Sequence, residues 1–471
     1  MINKLFREIT KKNYIYLSCW IFLILSINIK INDLKIDYFF NLANIFNTIR
    51  YLGGKIVFIF LLLEFIKNYK YIKINIIHLL LLLFQITLLF SYIYNCFFYS
   101  SQTEALYNIF DFEQYEFIFS YISTILFFIL INNFDKTLSK KIFYIFYLII
   151  FAYSLIILIP IIYNFTFKEI NTLWFYEQET FKANQEVFGQ TNQRVTGIAR
   201  MMVVLFSFFL FYYSHFSKNL FNKNNLNKIF LSLFFIFFFS FCIWGFQSRG
   251  AFISYILIIL LFFIFEKLEI IKKFLIFLLC IFSIFIFNNF SNSKKSVIEN
   301  NKIERGQVES RILNLNENLN LNLNENLNKV SSGRIQIWKR SIEKIKNKII
   351  IGYGEMGDRR ILTTDKTNVP NDEKHLWDSN ASNSFLYSLL SGGIIGAIFF
   401  LLAFFYLIIL IFNILKNNQF EKLPIENKIS IVLIIIILIR NFYENSFSQF
   451  GIDLLLLLSC YQILIKNYST K

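Results

Sequence analysis

Long apolar runs alternate with short charged breaks along the chain, at the spacing expected of membrane-spanning helices. A bilayer core of roughly 30 Å takes about 20 residues of helix. Apolar runs between the breaks predict spans over 14–29, 51–66, 76–95, 117–132, 142–163, 198–216, 229–247, 251–265, 274–290, 384–412, 429–440 and 446–465. The expected fold class is therefore an all-α integral membrane protein with about twelve transmembrane helices. Shorter runs reach the required length by borrowing interfacial aromatic residues. The longest polar stretch divides the chain into 1–290 with nine spans, a large extracytoplasmic loop over 291–383, and 384–471 with the last three spans.

Within that loop, residues 313–328 hold the octapeptide Leu-Asn-Leu-Asn-Glu-Asn-Leu-Asn twice in tandem, a low-complexity insertion with no assigned role. Residues 334–348 then predict an amphipathic helix lying over the membrane domain. Ile335, Trp338, Ile342 and Ile345 fall on one face, with Arg340, Glu343 and Lys344 opposite. Gly352, Gly354 and Gly357 end it in a turn-rich segment.

Composition agrees with lipid as the solvent. Hydrophobic residues make up 56% of the 471, above the usual share in soluble domains. A net charge of +16 would suit a nucleic-acid binder, but the aromatic residues sit inside apolar runs instead of among basic ones. Lysine-rich cytoplasmic connections explain the charge better. The basic start (Lys4, Arg7, Lys11, Lys12) lacks a small-residue cleavage site, so the first run is expected to stay as a helix. Lysines recur in every second connection, as in Lys67, Lys70 and Lys73, while 101–116 between them is acidic. By the positive-inside rule both termini are cytoplasmic. The five cysteines lie in or beside apolar runs without metal-ligand spacing and are expected to be small buried hydrophobes.

Arginine breaks the charge rule. Of twelve arginines, only Arg7 falls on the predicted cytoplasmic side, whereas the thirty-five lysines divide far more evenly. Arginine's planar fork matches phosphate bidentately and never deprotonates. Arg200, Arg249 and Arg440 also border apolar helices, where a charge is costly and marks a ligand path. With Arg194 they point to an anionic ligand, a phosphate, at the outer face. Arg305, Arg311, Arg359 and Arg360 are more simply explained as partners of loop carboxylates.

Five segments then carry a family resemblance. These are 194–204 (RVTGIARMMVV), Ser248-Arg249-Gly250 opening a helix, 333–354 (GRIQIWKRSIEKIKNKIIIGYG), 379–386 (SNASNSFL) with Gly392 and Gly393 following, and 440–447 (RNFYENSF). In that order and spacing they resemble the O-antigen ligase and polymerase superfamily. The resemblance implies a metal-independent, inverting glycosyltransferase without cofactor in the bacterial inner membrane. It would move a glycan from undecaprenyl pyrophosphate to lipid A–core sugar or to another lipid-linked glycan. Arg194, Arg200, Arg249, Arg334, Asn383 and Arg440 would then bind the pyrophosphate and glycan. Ligases of this family carry a His-Asn pair at the end of the large loop, where this chain has Ser382-Asn383. A serine hydroxyl cannot replace an imidazole as base. His375, Asp378 and Glu444 are the candidates to supply one. His78 and His215 fall at positions expected to be structural or on the wrong side. Twelve spans also suit a transporter or a lipid-linked glycan flippase, although the one-sided arginines and the absence of an evident repeat between the halves do not.

Overall fold

Each predicted run overlaps a single helix, because backbone groups facing hydrocarbon must be satisfied within their own segment. The computed structural model describes residues 11–27, 40–98, 112–134, 138–167, 195–217, 223–246, 248–299, 334–364 and 381–468. Among these residues the structure is helical with no strand. The α-helices are α1 (Lys11–Leu25), α2 (Phe40–Asn68), α3 (Ile76–Phe98), α4 (Phe112–Phe134), α5 (Leu138–Phe167), α6 (Val195–Ser217) and α7 (Lys223–Gly245). They continue as α8 (Arg249–Phe265), α9 (Ile270–Glu299), α10 (Arg334–Asn347), α11 (Gly357–Thr364), α12 (Ser384–Asn417), α13 (Ile425–Arg440) and α14 (Ile452–Tyr468).

Among the described residues six stretches are long and apolar enough to cross a membrane: Ile76–Phe98, Leu138–Leu155, Ile198–Ser217, Asn225–Gly245, Ile270–Asn289 and Ser384–Asn417. Tyr14–Leu25, Phe117–Asn132 and Arg249–Phe265 are shorter apolar helices. The run read as 446–465 becomes helical only at Ile452. Residues 441–451 form an irregular turn instead, and that turn belongs to the site described below. The tandem repeat at 313–328 lies outside the described residues.

The centre of the bundle is α14, whose Leu454–Leu458 stretch is at most 1% exposed. It packs against α13, α5 and α4. At the periphery, α9 leaves Ile270, Phe274, Phe277 and Phe285 exposed, as a lipid-facing surface would. Dispersion and close approach hold such helices together in lipid, so small residues mark the tight crossings. At the α3–α12 crossing, a Cβ on Gly396 would stand 2.9 Å from Thr87 Oγ1, and one on Gly392 3.2 Å from Leu88 Cδ2.

The lysine-bearing connections meet at one end of the bundle. Lys428 pairs with Glu266 with both groups buried, Lys267 pairs with Glu421 at 2.9 Å, and Lys272 Nζ donates to Ser217 O at 3.2 Å. At the other end stand the start of α6, α8, α12 and α14 and the end of α13.

α10 rests on α12 at that other end, with a face that differs from the expected one. Ile337, Ser341 and Ile345 are buried at 1%, 0% and 8%, whereas Ile342 is 47% exposed. Ser341, which donates to Ile337 O at 2.8 Å, stands in the buried stripe in place of Ile342. Trp338 Nε1 donates to Ala381 O at 3.1 Å and ties α10 to the chain entering α12.

After α10 the backbone inserts between α3 and α12. Tyr353 N donates to Leu390 O at 2.8 Å, Gly354 N to Ser391 O at 2.7 Å, and Ile394 N to Ile349 O at 2.8 Å. From α3, Asn95 Nδ2 donates to Gly352 O at 3.0 Å, and Ser91 Oγ donates to Ile351 O. α12 accepts the inserted chain because Gly393 breaks its helical geometry, with φ +61° and ψ −164°. The glycines near the start of α12 therefore do two jobs. Gly392 and Gly396 give close packing, and Gly393 opens the helix to a second backbone.

Candidate functional site

Two arginines and two carboxylates form a closed ring at the end of α13. Arg440 Nη2 lies 2.8 Å from Glu444 Oε2, and its Nη1 lies 2.9 Å from Asp453 Oδ1. From α6, Arg200 Nη2 lies 2.5 Å from Glu444 Oε2 and its Nη1 3.8 Å from Asp453 Oδ2. Ser446 Oγ completes the shell of Asp453 with a 2.8 Å bond to Oδ2. Arg440 is 4% exposed and Arg200 21%, so one guanidinium is sealed in and the other reaches outward.

The ring is positive beyond its own pairs. Arg334, the first residue of α10, acts electrostatically on Glu444. Arg249 opens α8 beside Gly250, where a Cβ would meet Glu444 Oε1 at 2.6 Å. Burial alone would raise the Glu444 carboxyl. Arg200 and Arg440 outweigh it and hold the pKa at about 2.

That shift is a stability term with a defined sign. A carboxyl depressed from 4.5 to about 2 stabilises the fold fully above pH 4.5, and the contribution is lost as pH falls towards 2. The melting temperature of the detergent-solubilised protein is expected to fall across that window. Glu444→Gln should flatten this part of the profile. An unchanged profile in the variant would refute the ion-pair assignment.

The turn carrying Glu444 is fixed by α12 and α4. Ser384 Oγ donates to Glu444 O at 2.9 Å, Ser384 N donates to Asn441 O at 2.9 Å, and Tyr121 OH donates to Phe447 O at 2.8 Å. Asn383 is the N-cap of α12. Its Oδ1 accepts from Phe385 N and Leu386 N at 2.9 and 3.0 Å, and its Nδ2 donates to Phe442 O at 2.9 Å. A cap of this kind satisfies two of the helix's orphan donors. Ser382, where ligases of the resembling family have His, adopts φ +49°.

Two buried acids lie beneath this cap. Asp358 Oδ2 accepts from Ala381 N at 3.0 Å and from Asn445 Nδ2 at 3.2 Å, and its Oδ1 accepts from Arg359 N at 2.8 Å. Asn445 Oδ1 accepts from Asn383 N at 3.0 Å, so Asp358 is linked to the arginine turn through one side chain. Glu355 Oε1 accepts from Tyr387 OH at 2.8 Å. Its Oε2 has no hydrogen-bond partner among the described residues. Arg360 stacks over Tyr92, 4.7 Å from its ring centroid, and binds the carbonyls of Glu355 and Tyr353.

The structure thus brings Arg200, Arg440 and Glu444 into contact, with Arg334 in electrostatic reach and Arg249 alongside. Asn383 is linked to the same turn as a cap. Arg194, His375 and Asp378 lie outside the described residues. His78 is buried in α3 and sits edge-on to Tyr461 at 5.6 Å, away from this end. Sequence reasoning missed Asp453, Asp358 and Glu355. Asp453 could have been found as the lone acid inside the last apolar run. The two loop acids gave no such signal.

Residues 233–401 match the family model described as O-antigen ligase. The matched region runs from α7 through α10 and α11 into the kinked first part of α12. No curated protein matches the chain.

Proposed function

We propose, from the membership of the O-antigen ligase/polymerase superfamily that residues 233–401 support, that this chain is a glycan transferase of the bacterial cytoplasmic membrane. The donor is a glycan on undecaprenyl pyrophosphate, and the acceptor is a sugar hydroxyl of lipid A–core or of a second lipid-linked glycan. In this reading all twelve spans expected from the sequence cross the bilayer, both termini are cytoplasmic, and the arginine ring faces the outer side. The observation that carries this reading is the ring itself, two guanidiniums from α6 and α13 gathered with two carboxylates at one end of the bundle.

Chemistry follows from that charge. Inverting transfer forms a bond from the acceptor oxygen to the anomeric carbon as the bond to the pyrophosphate oxygen breaks. Negative charge builds on the leaving group, and fixed guanidiniums in a low-dielectric setting stabilise it without reorganising. Arg440 is held rigid by Glu444 and Asp453, and Arg200, the more exposed partner, is the one placed to exchange its carboxylate contacts for the phosphates. Arg249 and Arg334 widen the clamp. Glu444, kept ionised between two arginines, serves as their counter-ion and is a poor proton acceptor.

Arg200 is the residue to test first, because it is partly exposed and its loss leaves Arg440 with both carboxylates. Arg200→Ala is expected to lower glycan transfer roughly 10²–10³-fold at normal membrane levels. Arg200→Lys should also be impaired, since charge returns without the fork. Wild-type surface glycan in both variants would sink the clamp. A deletion strain separates the finer readings. Loss of all capped lipid A–core indicates a ligase, and a single-repeat band indicates a polymerase. Undecorated lipid-linked units held on the cytoplasmic side would instead indicate a flippase.

A further inference from the structure

Transfer to a hydroxyl requires somewhere for its proton to go, and the described carboxyls are not equally able to take it. Glu444 and Asp453 are committed to Arg200 and Arg440. Asp358 accepts three N–H bonds on its two oxygens. Glu355 differs, being 1% exposed with one oxygen bound by Tyr387 and the other without a partner. A buried acceptor left unsatisfied is costly, and such a group in a native fold calls for an explanation.

We propose that Glu355 holds the proton released by the acceptor hydroxyl, taking it through Tyr387, and so does the work that a histidine at position 382 would do. The proposal rests on the transferase reading above and assigns the proton path of the same site. Tyr387 lies one helical turn after Asn383, and its backbone N–H donates to Asn383 O at 2.9 Å. Tyr387 is 0% exposed and its oxygen also accepts from Met356 N at 3.4 Å, so the acceptor proton has to be passed inward to that oxygen while the Tyr387 proton passes to Glu355 Oε1. In the same step the acceptor oxygen bonds to the anomeric carbon, and the electron pair of the old bond leaves on pyrophosphate. Glu355 ends neutral, and once products leave the reverse shift through Tyr387 releases the proton to water. Because it acts through Tyr387, Glu355 is a positioning residue for the proton.

Its surroundings suit that task. Burial lifts the Glu355 carboxyl to about 7, and Asp358 adds to the rise, against the Tyr387 hydrogen bond and the charges of Arg360 and Arg359. From the packed elements, Tyr387 on α12, Tyr121 on α4, and Arg360 on the Tyr92 ring of α3 face it. A proton acceptor poised near neutrality is neither permanently charged nor permanently filled. The ionised form is the active one, so transfer should be lost as pH falls through about 7.

The test combines infrared titration of the purified full chain with pH profiles of transfer in proteoliposomes. Wild-type protein should show a buried protonated carboxyl band that titrates near the midpoint of the acid limb of activity. Glu355→Gln should lose the band and roughly 10²-fold of the transfer rate, yet keep donor binding. Tyr387→Phe removes a bond that favours the carboxylate, so any surviving activity should have its acid limb moved to higher pH. Glu355→Asp should restore a titrating limb, and His375→Ala and Asp378→Ala should leave the wild-type limb in place. Transfer by Glu355→Gln with the wild-type acid limb would overturn this assignment alone, as would loss of the limb in His375→Ala. Absence of transfer by the wild-type protein would overturn the transferase reading together with it.

Discussion

Arg440→Ala is expected to remove folded protein as well as activity, which sets it apart from Arg200→Ala. Arg440 is 4% exposed and bridges Glu444 and Asp453, themselves 9% and 1% exposed. Deleting one partner of a buried ion pair leaves uncompensated charge and costs about 3–5 kcal/mol. Arg200 remains within 3.8 Å of Asp453 Oδ2 and 2.5 Å of Glu444 Oε2, and it offsets part of that cost. The melting temperature in detergent should therefore fall markedly, and membrane levels with it. The double variant Arg440→Ala, Asp453→Ala provides the control. Removing the orphaned carboxylate should recover part of the stability but none of the transfer. Additive destabilisation by the two changes would refute the coupling. Arg440→Lys should fall between, because one ammonium cannot bridge both carboxylates with the geometry of a fork.

The contrast between Arg440 and Arg200 shows what the sequence could and could not tell. Helices were legible because apolar runs of membrane length leave few alternatives. Arg200 and Arg440 stood out because arginine at an apolar helix end is expensive and needs a reason. Glu444 was also visible, but as a candidate base. Its role as counter-ion depends on Arg200, which lies 244 positions earlier in the chain. Asp453 was hidden by counting 446–465 as one apolar run, when the stretch to 451 is a turn. The register of α10 differs because pattern rules weigh apolar side chains, while its buried stripe includes the small polar residue Ser341 and leaves Ile342 out. Glu355 and Tyr387 are brought together only by backbone inserted between α3 and α12, a long-range pairing that leaves no local period. Asp378 and His375 lie outside the described residues and stand as expectations.

That insertion hangs on one residue, and Gly393→Ala is expected to undo it. A Cβ there would stand 2.2 Å from Ile350 O, 2.4 Å from Ile350 C and 2.7 Å from Ile351 N. All three are backbone atoms that cannot swing aside. The φ of +61° with ψ of −164° also lies in a region essentially confined to glycine, a strain of about 1–3 kcal/mol for any other residue. Overlap and strain together put the cost above about 4 kcal/mol, the range of exceptional single substitutions. The apolar faces of α12 are untouched, so the bundle should keep its helix content. The inserted strand of backbone should undock instead, taking Glu355 from Tyr387 and abolishing transfer. Hydrogen exchange reads this directly, because the amides of Tyr353, Gly354 and Ile394 donate across the junction to Leu390, Ser391 and Ile349. Those three should lose protection in Gly393→Ala while amides within α14 keep theirs. Gly451→Ala is the matched control, since a Cβ there meets nothing within 4 Å. Equal protection at the junction in both variants would show that Gly393 does not hold the segment in place.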